Sequence, residues 1–468
     1  EKFVLNRLFY SSPVTFDFPS TVATTNDTLT LSDLSEGGRR ESKLSDLHMN
    51  TLIELNEISS FSTPLYNFEP WKQLKCELEL LETLDDCRIP KGMIRKLKDI
   101  IHSRNTDSKI EVSLCHGDFT PWNIYQNEEK LQIYDWELSQ PFMPIGHDAF
   151  HFIMQQGILV ERKNWKQIKK DIDHQLKSGN FKAISKFKNE DMEEYLQLYL
   201  LFNTITHLKL YAKQLKWHEQ VFWMLNVWND AITSFTVDIK TQRQLVIMDL
   251  FDFLADKRYA AIKFPGTLPE MLSEFSDIDL FIEKPLQQLI LHYLENHPHV
   301  DHVSLKKSSF MCTQQIICND GSIISLDLIW KMKRKNLELM DVSQALKNAY
   351  MNSYGIKMLE LKDNIRYIGL FYLANGANIP SKFNAYEELL KRSDSPLDNL
   401  LFNYFIEEEP NKKPVLNFIN KRKPNRGLSY FRNTIDYMID VVKTALFNKG
   451  MIITFSGVDG AGKSTVIE

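Results

Sequence analysis

Cysteine is scarce in this sequence, and what there is does not pair. The five cysteines, Cys76, Cys87, Cys115, Cys312 and Cys318, form no CxxC pair and no zinc spacing. An odd count without a framework excludes a disulfide-stapled secreted fold and points to a reducing cytosol. Long apolar runs are missing too. The richest stretch, Tyr195 to Leu208, is broken by Asn203, Thr204, Thr206 and His207, so nothing reaches the roughly 20 apolar residues that span a bilayer. Excess basic charge is also lacking. With 56 Lys and Arg against 61 Asp and Glu, the net charge of -5 gives no overall pull toward nucleic acid or an anionic membrane. No glycine precedes Gly37, and no lysine lies between Lys2 and Lys43. The chain opens on Glu1 rather than Met and stops just after Lys463, Ser464 and Thr465. Both ends suggest a piece of a longer chain.

What is present is ordinary globular composition, 43% apolar and 25% charged. At 468 residues the length predicts about three domains. The chemistry concentrates in Cys115 to Glu137. His116-Gly117-Asp118 is followed, five residues after the aspartate, by Asn123, and Asp135-Trp136-Glu137 ends a short apolar strand. Ile124-Tyr125 and Leu131 to Tyr134 read as strands around the polar turn Asn127 to Lys130. Folding that hairpin brings Asn123 and Asp135 to one end, with Asp118 in the loop just before. Mg²⁺ takes oxygen donors and usually only one or two from protein; an Asn carbonyl and an Asp carboxylate suit it. A separate Asp, held off the metal, can orient a hydroxyl and accept its proton. A chance hairpin with polar ends accounts for a lone His-Gly-Asp, but not for Asn and the later Asp-Trp-Glu at these offsets.

With those residues the sequence resembles the aminoglycoside phosphotransferase and choline kinase superfamily, small-molecule kinases with a protein-kinase-like fold. The resemblance implies Asp118 as catalytic base, Asn123 and Asp135 as metal ligands, and His116 as the prop of the catalytic loop. It implies that Asp148, in Gly146-His147-Asp148, braces that loop from the following helix. Gly117 in place of Arg speaks for a small-molecule kinase. Ser20 to Thr24 and Thr28 to Leu34 read as strands around Asn26-Asp27, followed by a polar connector, Ser35 to Gly38. These would end a small lobe whose glycine-rich loop and phosphate-clamping lysine either lie upstream of residue 1 or are lost in a degenerate domain; the intact catalytic triplet favours the first. The large lobe reads helical. Leu44, Leu47, Leu52 and Leu55 recur at helical spacing, as do Leu74, Leu78 and Leu81, then Met93, Leu97, Ile100 and Ile101; the bland reading of these, lobe core, is preferred.

A second domain is expected over residues 241–400. Leu245 to Leu254 reads as a helix and Tyr259 to Phe264 as a strand. Gly266-Thr267 follow, and after nine intervening residues Asp277-Ile278-Asp279-Leu280. Alternation puts Asp277 and Asp279 on one face of one strand, where paired carboxylates can hold divalent ions against a triphosphate. Phe310 to Cys318 and Ser322 to Trp330, joined by Asn319-Asp320-Gly321, read as a hairpin whose second strand carries Asp327. This resembles the nucleotidyltransferase superfamily. The resemblance implies Asp277, Asp279 and Asp327 as metal carboxylates and Gly266-Thr267 as the triphosphate contact, with Thr where the family has Ser. A surface strand with two solvated aspartates is the alternative.

Residues 401–448 read as linker and amphipathic helix. Pro410, Pro414, Pro424 and the run Lys421-Arg422-Lys423 mark a connector. Phe431, Ile435, Met438, Ile439, Val442 and Leu446 mark one helix face. Residues 449–468 then open a P-loop domain: the strand Met451 to Phe455 precedes a Walker A loop with Gly457, Gly460, Gly462, Lys463, Ser464 and Thr465. Its backbone amides would cradle phosphates, with Lys463 on the terminal phosphates and Ser464 on Mg²⁺. The wording resembles the thymidylate kinase family.

The predicted class is therefore α+β multidomain. It comprises a truncated kinase-like domain over 1–240 with a mainly helical large lobe, a nucleotidyltransferase-like α/β domain, and the opening strand and P-loop of an α/β kinase. That order resembles fusion proteins of bacterial surface-polysaccharide biosynthesis. The expected activity is phosphotransfer from ATP with Mg²⁺ to a hydroxyl of a sugar or nucleoside-like molecule. The partners are then a nucleoside triphosphate and a small acceptor, with no nucleic acid and no integral membrane segment. Two other readings stay open: nucleotidyl transfer through Asp277, Asp279 and Asp327, or a nucleotide-sensing scaffold with worn-out sites.

Overall fold

The computed structural model describes residues 2–447 except 26–27, 35–37, 85, 87, 128, 177–178, 186–190, 265, 378, 381–394 and 407–410. The architecture is α+β. The turn Asn26-Asp27, the connector Ser35 to Gly37 and the Walker A residues Gly457 to Thr465 lie outside the described residues.

The N-terminal part is an apolar core drawn from residues between Val4 and Ile232. Helices α1 (Lys2–Ser11), α2 (Asp46–Ser59), α3 (Glu69–Thr83) and α4 (Lys91–Ser103) each bury one stripe. In α4 the stripe is Met93, Ile94, Leu97, Ile100 and Ile101, the helical period read from the sequence. The small β elements are β1 (Phe16–Asp17), β2 (Thr21–Thr24), β3 (Leu29–Leu31) and β4 (Phe61–Pro64). Then come β5 (Lys109–Cys115), β6 (Ile124–Gln126), β7 (Leu131–Ile133) and β8 (Gln140–Pro144). β6 and β7 pair antiparallel with Ile124 opposite Ile133, so Asn123 and Tyr134 meet at the open end. After α5 (His147–Gln155) the core is completed by α6 (Trp165–Leu176), α7 (Asn180–Ile184), α8 (Met192–Ala212) and α9 (Glu219–Ser234).

The second part is organised by one seven-stranded sheet. Helix α10 (Gln242–Leu254) leads into β9 (Tyr259–Ile262) and β10 (Ile278–Ile282). Helix α11 (Leu286–Glu295), β11 (Val300–Lys307), β12 (Met311–Cys318) and β13 (Ile323–Ile329) follow. Helix α12 (Val342–Asn348), β14 (Tyr350–Met351), β15 (Lys357–Met358) and α13 (Leu361–Asn375) close the unit. The strand order is β11-β12-β13-β10-β9-β15-β14. β12 and β13 turn through Gly321 at φ 82, a left-handed position that glycine fills without strain. Period-two alternation splits the sheet into two cores: Ala261, Ile278 and Leu280 face one, Ala260, Ile262 and Phe281 the other.

Residues 413–420 depart from the connector reading. They form a helix, Lys413–Asn420, that buries Val415 and Ile419 in the second of these cores. Pro414 stands in its first turn, where a missing N–H breaks no helical bond; a proline-rich stretch is therefore not always a linker. The expected helix forms over Gly427–Phe447, yet every residue of the apolar face read from the sequence, Phe431, Ile435, Met438, Ile439, Val442 and Leu446, is exposed.

The two parts meet along α4 and α10. Asp252 accepts from Gly92 N and Met93 N at 2.8 Å each, capping an α4 whose own N-cap, Pro90, has no side chain to offer. Arg95 and Glu270 pair through two bonds of 2.9 and 3.2 Å. Lys96 and Asp249 form a fully buried ion pair. Among the described residues, no helix is long and apolar enough to cross a membrane.

Candidate functional site

The loop after β5 is held from behind by Asp148, at the start of α5. Asp148 Oδ2 accepts from His116 N at 2.7 Å, and Oδ1 accepts from Gly117 N at 3.0 Å and from Cys115 Sγ at 3.1 Å. Burial works against the Asp148 charge. Neighbouring His147 and His116 and the His116 N–H outweigh it and hold the carboxyl well below its usual range. Burial, with Asp148 beside it, pushes the Cys115 thiol up, so it donates as a thiol.

His116 shapes the next step. Its Nε2–H donates to Tyr134 O at 2.7 Å, and its Nδ1 accepts from Asp118 N at 3.2 Å. One neutral tautomer satisfies both bonds, and burial lowers the His116 pKa, which favours it. The ring meets Trp136 edge-on, centroids 4.6 Å apart. The histidine thereby ties the loop to the end of β7, one residue before Asp135.

Gly117 is required where it stands. Its φ is +85, and a Cβ there would run into the backbone carbonyl of Leu138. Gly117→Ala is expected to cost about 1–3 kcal/mol, read as a shifted urea midpoint, with a reactivity loss that tracks the displaced loop. A midpoint equal to wild type would show that the loop has room the geometry denies.

Asp118 is half-buried and fully engaged. Oδ2 accepts from Asn123 Nδ2 at 2.8 Å, and Oδ1 from His151 Nε2 at 3.1 Å. Burial raises the Asp118 carboxyl, but the hydrogen bond from His151, with His116 nearby and the Asn123 bond, more than offsets it and holds it below the usual carboxylate value. Asn123 Nδ2 also donates to Asp118 O at 3.1 Å. With both amide N–H groups turned to Asp118, the Asn123 carbonyl oxygen is the atom left for another partner. Tyr134 N donates to Asn123 O at 2.9 Å, so Asp135 follows directly on that contact. Asp135 is exposed and adopts left-handed φ 61, a conformation that aspartate tolerates better than most residues and that concentrates at functional sites.

The sequence reading missed His151 and Tyr199. His151 Nδ1 accepts from Tyr199 Oη at 3.2 Å while Nε2 serves Asp118. The available signal was His147 and His151 four apart, hence on one face of a helix; their rings stack at 6.1 Å. Nothing in the apolar run around Tyr199 marked it.

In the second part Asp279 and Asp327 lie directly opposite each other on parallel neighbours β10 and β13. Asp277 precedes β10 and is exposed. Burial, together with Asp279 and Asp277, raises the Asp327 carboxyl against the pull of Thr313, whose Oγ1 donates to it at 2.6 Å. Asp279 already holds a cation: Lys263 Nζ is 2.9 Å away. That ammonium also sits over the Phe371 and Tyr367 rings, at 4.9 and 5.4 Å. Among the described residues the three aspartates do not bring their oxygens within 4.8 Å of one another. Gly266 and Thr267 are exposed in the loop after β9.

No family model, curated protein or solved structure matches the chain.

Proposed function

We propose that the chain is an ATP- and Mg²⁺-dependent phosphotransferase acting on a hydroxyl of a small molecule, sugar or nucleoside-like, through a protein-kinase-like domain. The observation that carries this reading is the Asp118 carboxylate, kept ionised and oriented by Asn123 and His151, at the end of the hairpin that also presents Asp135. Asp118 would accept the hydroxyl proton as the oxygen attacks. The free carbonyl of Asn123 and the exposed carboxylate of Asp135 form an all-oxygen donor set, which suits Mg²⁺. The ion would neutralise charge on the transferring phosphoryl group.

Asp135→Asn is expected to raise the Mg²⁺ concentration for half-maximal rate at least about tenfold, since it removes the charged member of the donor set. The assay follows ADP formation from ATP over a panel of hydroxylated acceptors. An unchanged Mg²⁺ requirement would remove Asp135 from the site.

Asp279 and Asp327 in register across β10 and β13 favour a second reading, nucleotidyl transfer. It releases pyrophosphate rather than ADP, so the products separate the two. The Lys263 pairing weighs against it, because a divalent ion at Asp279 would first have to displace that ammonium.

A further inference from the structure

Behind the His116-Gly117 loop the end of β5 and the start of α5 bring three different metal-ligating groups together. Cys115 Sγ is 3.3 Å from His147 Nδ1 and 3.1 Å from Asp148 Oδ1, and the two latter atoms are 3.8 Å apart. Among the described residues, this is the group of His, Cys and acidic side chains whose ligand atoms all lie within 4.8 Å of one another. All three residues are buried.

Those separations match a filled coordination shell. Ligands at the usual zinc distances in a tetrahedron lie about 3.4–3.6 Å apart, and each observed separation is within about 0.5 Å of that range. A small cavity of about 20 Å³ adjoins the same residues, with Ser113 and Gly146 on its wall. That is room for about one water-sized atom. It supplies a fourth position which the three side chains leave open.

We infer that Cys115, His147 and Asp148 form a site for a soft divalent cation of the Zn²⁺ class, completed by one water in the adjoining cavity. The donor set of thiolate, imidazole and carboxylate selects such an ion and disfavours Mg²⁺. The ion takes the place of the proton that now lies between Cys115 Sγ and Asp148 Oδ1. The S–H bond breaks, the proton leaves to solvent, and the sulfur–metal bond forms. Asp148 keeps its bonds from His116 N and Gly117 N, because each carboxylate oxygen has a second lone pair. The loop therefore stays braced, and the ion cross-links β5 to α5. This assignment does not depend on the phosphotransfer reading.

The test uses the whole 468-residue chain, stripped with a chelator under reducing conditions and titrated with Co²⁺ as a spectroscopic probe. The expected result is one Co²⁺ per chain with a thiolate charge-transfer band, bleached of its d–d absorption by stoichiometric Zn²⁺, and a raised melting temperature. Cys115→Ser should abolish the band, while Cys76→Ser, at an exposed cysteine, should retain it. His147→Gln provides a second reading should Cys115→Ser fail to fold: it should weaken Co²⁺ binding at least about tenfold and keep the thiolate band at saturation. Absence of a thiolate band in the wild-type chain, or a band that survives Cys115→Ser, would overturn the site. So would an affinity unchanged by His147→Gln.

Discussion

Asp118→Asn is expected to slow phosphotransfer by about 10²–10⁴-fold, the usual contribution of a positioned general base, while leaving the fold intact. The substitution is isosteric. An asparagine oxygen still accepts from Asn123 Nδ2, which donates to Asp118 at 2.8 Å. The amide nitrogen meets His151, whose other nitrogen faces the Tyr199 hydroxyl at 3.2 Å; that hydroxyl rotates to suit either tautomer. Loss should therefore appear in kcat, with the urea midpoint and the KM for ATP nearly unchanged. The pH profile gives an independent check. The native Asp118 carboxyl is held below its usual value, about 3.9, so the reactive carboxylate persists as pH falls through 5 and its acid limb lies below about 4. His151→Phe removes the strongest of the opposing contributions while burial still raises the carboxyl, and the limb should then move upward toward neutrality. Wild-type turnover in Asp118→Asn would dismiss Asp118 as the base, and pyrophosphate among the products would move the chemistry to Asp279 and Asp327.

Some of this molecule was legible from spacing and some was not, for physical reasons. A hairpin is a local object, so Ile124-Tyr125 and Leu131 to Tyr134 around a polar turn were enough to set Asn123 beside Tyr134, as the backbone bond between them shows. The same holds for the Asn319-Asp320-Gly321 turn, which aligns β12 with β13. Asp279 opposite Asp327 is a pairing between strands some fifty residues apart, and alternation could assign the face but not the register. Lys263 escaped notice because its role depends on where α13 places Tyr367 and Phe371. The stretch around Pro414 misled because proline in a first helical turn and proline in a linker look alike in sequence. In α1, Val4, Leu5 and Leu8 face the core while the larger Phe3 and Phe9 are exposed. Hydrophobicity alone does not rank residues on a helix this amphipathic at both flanks. Least legible of all was the contact between the two parts, since Lys96 reads as one more polar residue of α4 and Asp249 as a polar break in an apolar helix.

That contact carries the largest expected loss of stability. Asp249→Ala should destabilise the folded chain by about 3–5 kcal/mol, the cost of leaving a buried charge without its partner. Lys96 and Asp249 are fully buried, at 0% and 1% exposure, so solvent cannot take over. Lys96 Nζ also donates to Asn229 Oδ1 and Thr233 Oγ1, each at 2.7 Å, but these are neutral acceptors and compensate little for a lost carboxylate. Asn229 Nδ2 and His297 Nε2, at 2.8 and 3.0 Å from Asp249, would lose their acceptor as well. Replacing both charges, Lys96→Met with Asp249→Leu, should cost far less than Asp249→Ala alone, because it removes the desolvated charges together. The dependence on pH has a definite sign. Burial raises the Asp249 carboxyl, but Lys96 and His297 pull it further down, below its ordinary value. Its contribution is thus complete above about pH 3.9 and is lost as pH falls toward the lower native value. Asp249→Ala should lose that segment of the acid-unfolding curve, and the apolar pair should lose it too. Urea titrations of the three proteins at neutral and acid pH decide the matter. A penalty below about 1 kcal/mol in Asp249→Ala would mean that water reaches Lys96, and that the seam between α4 and α10 is looser than its 0% exposure implies.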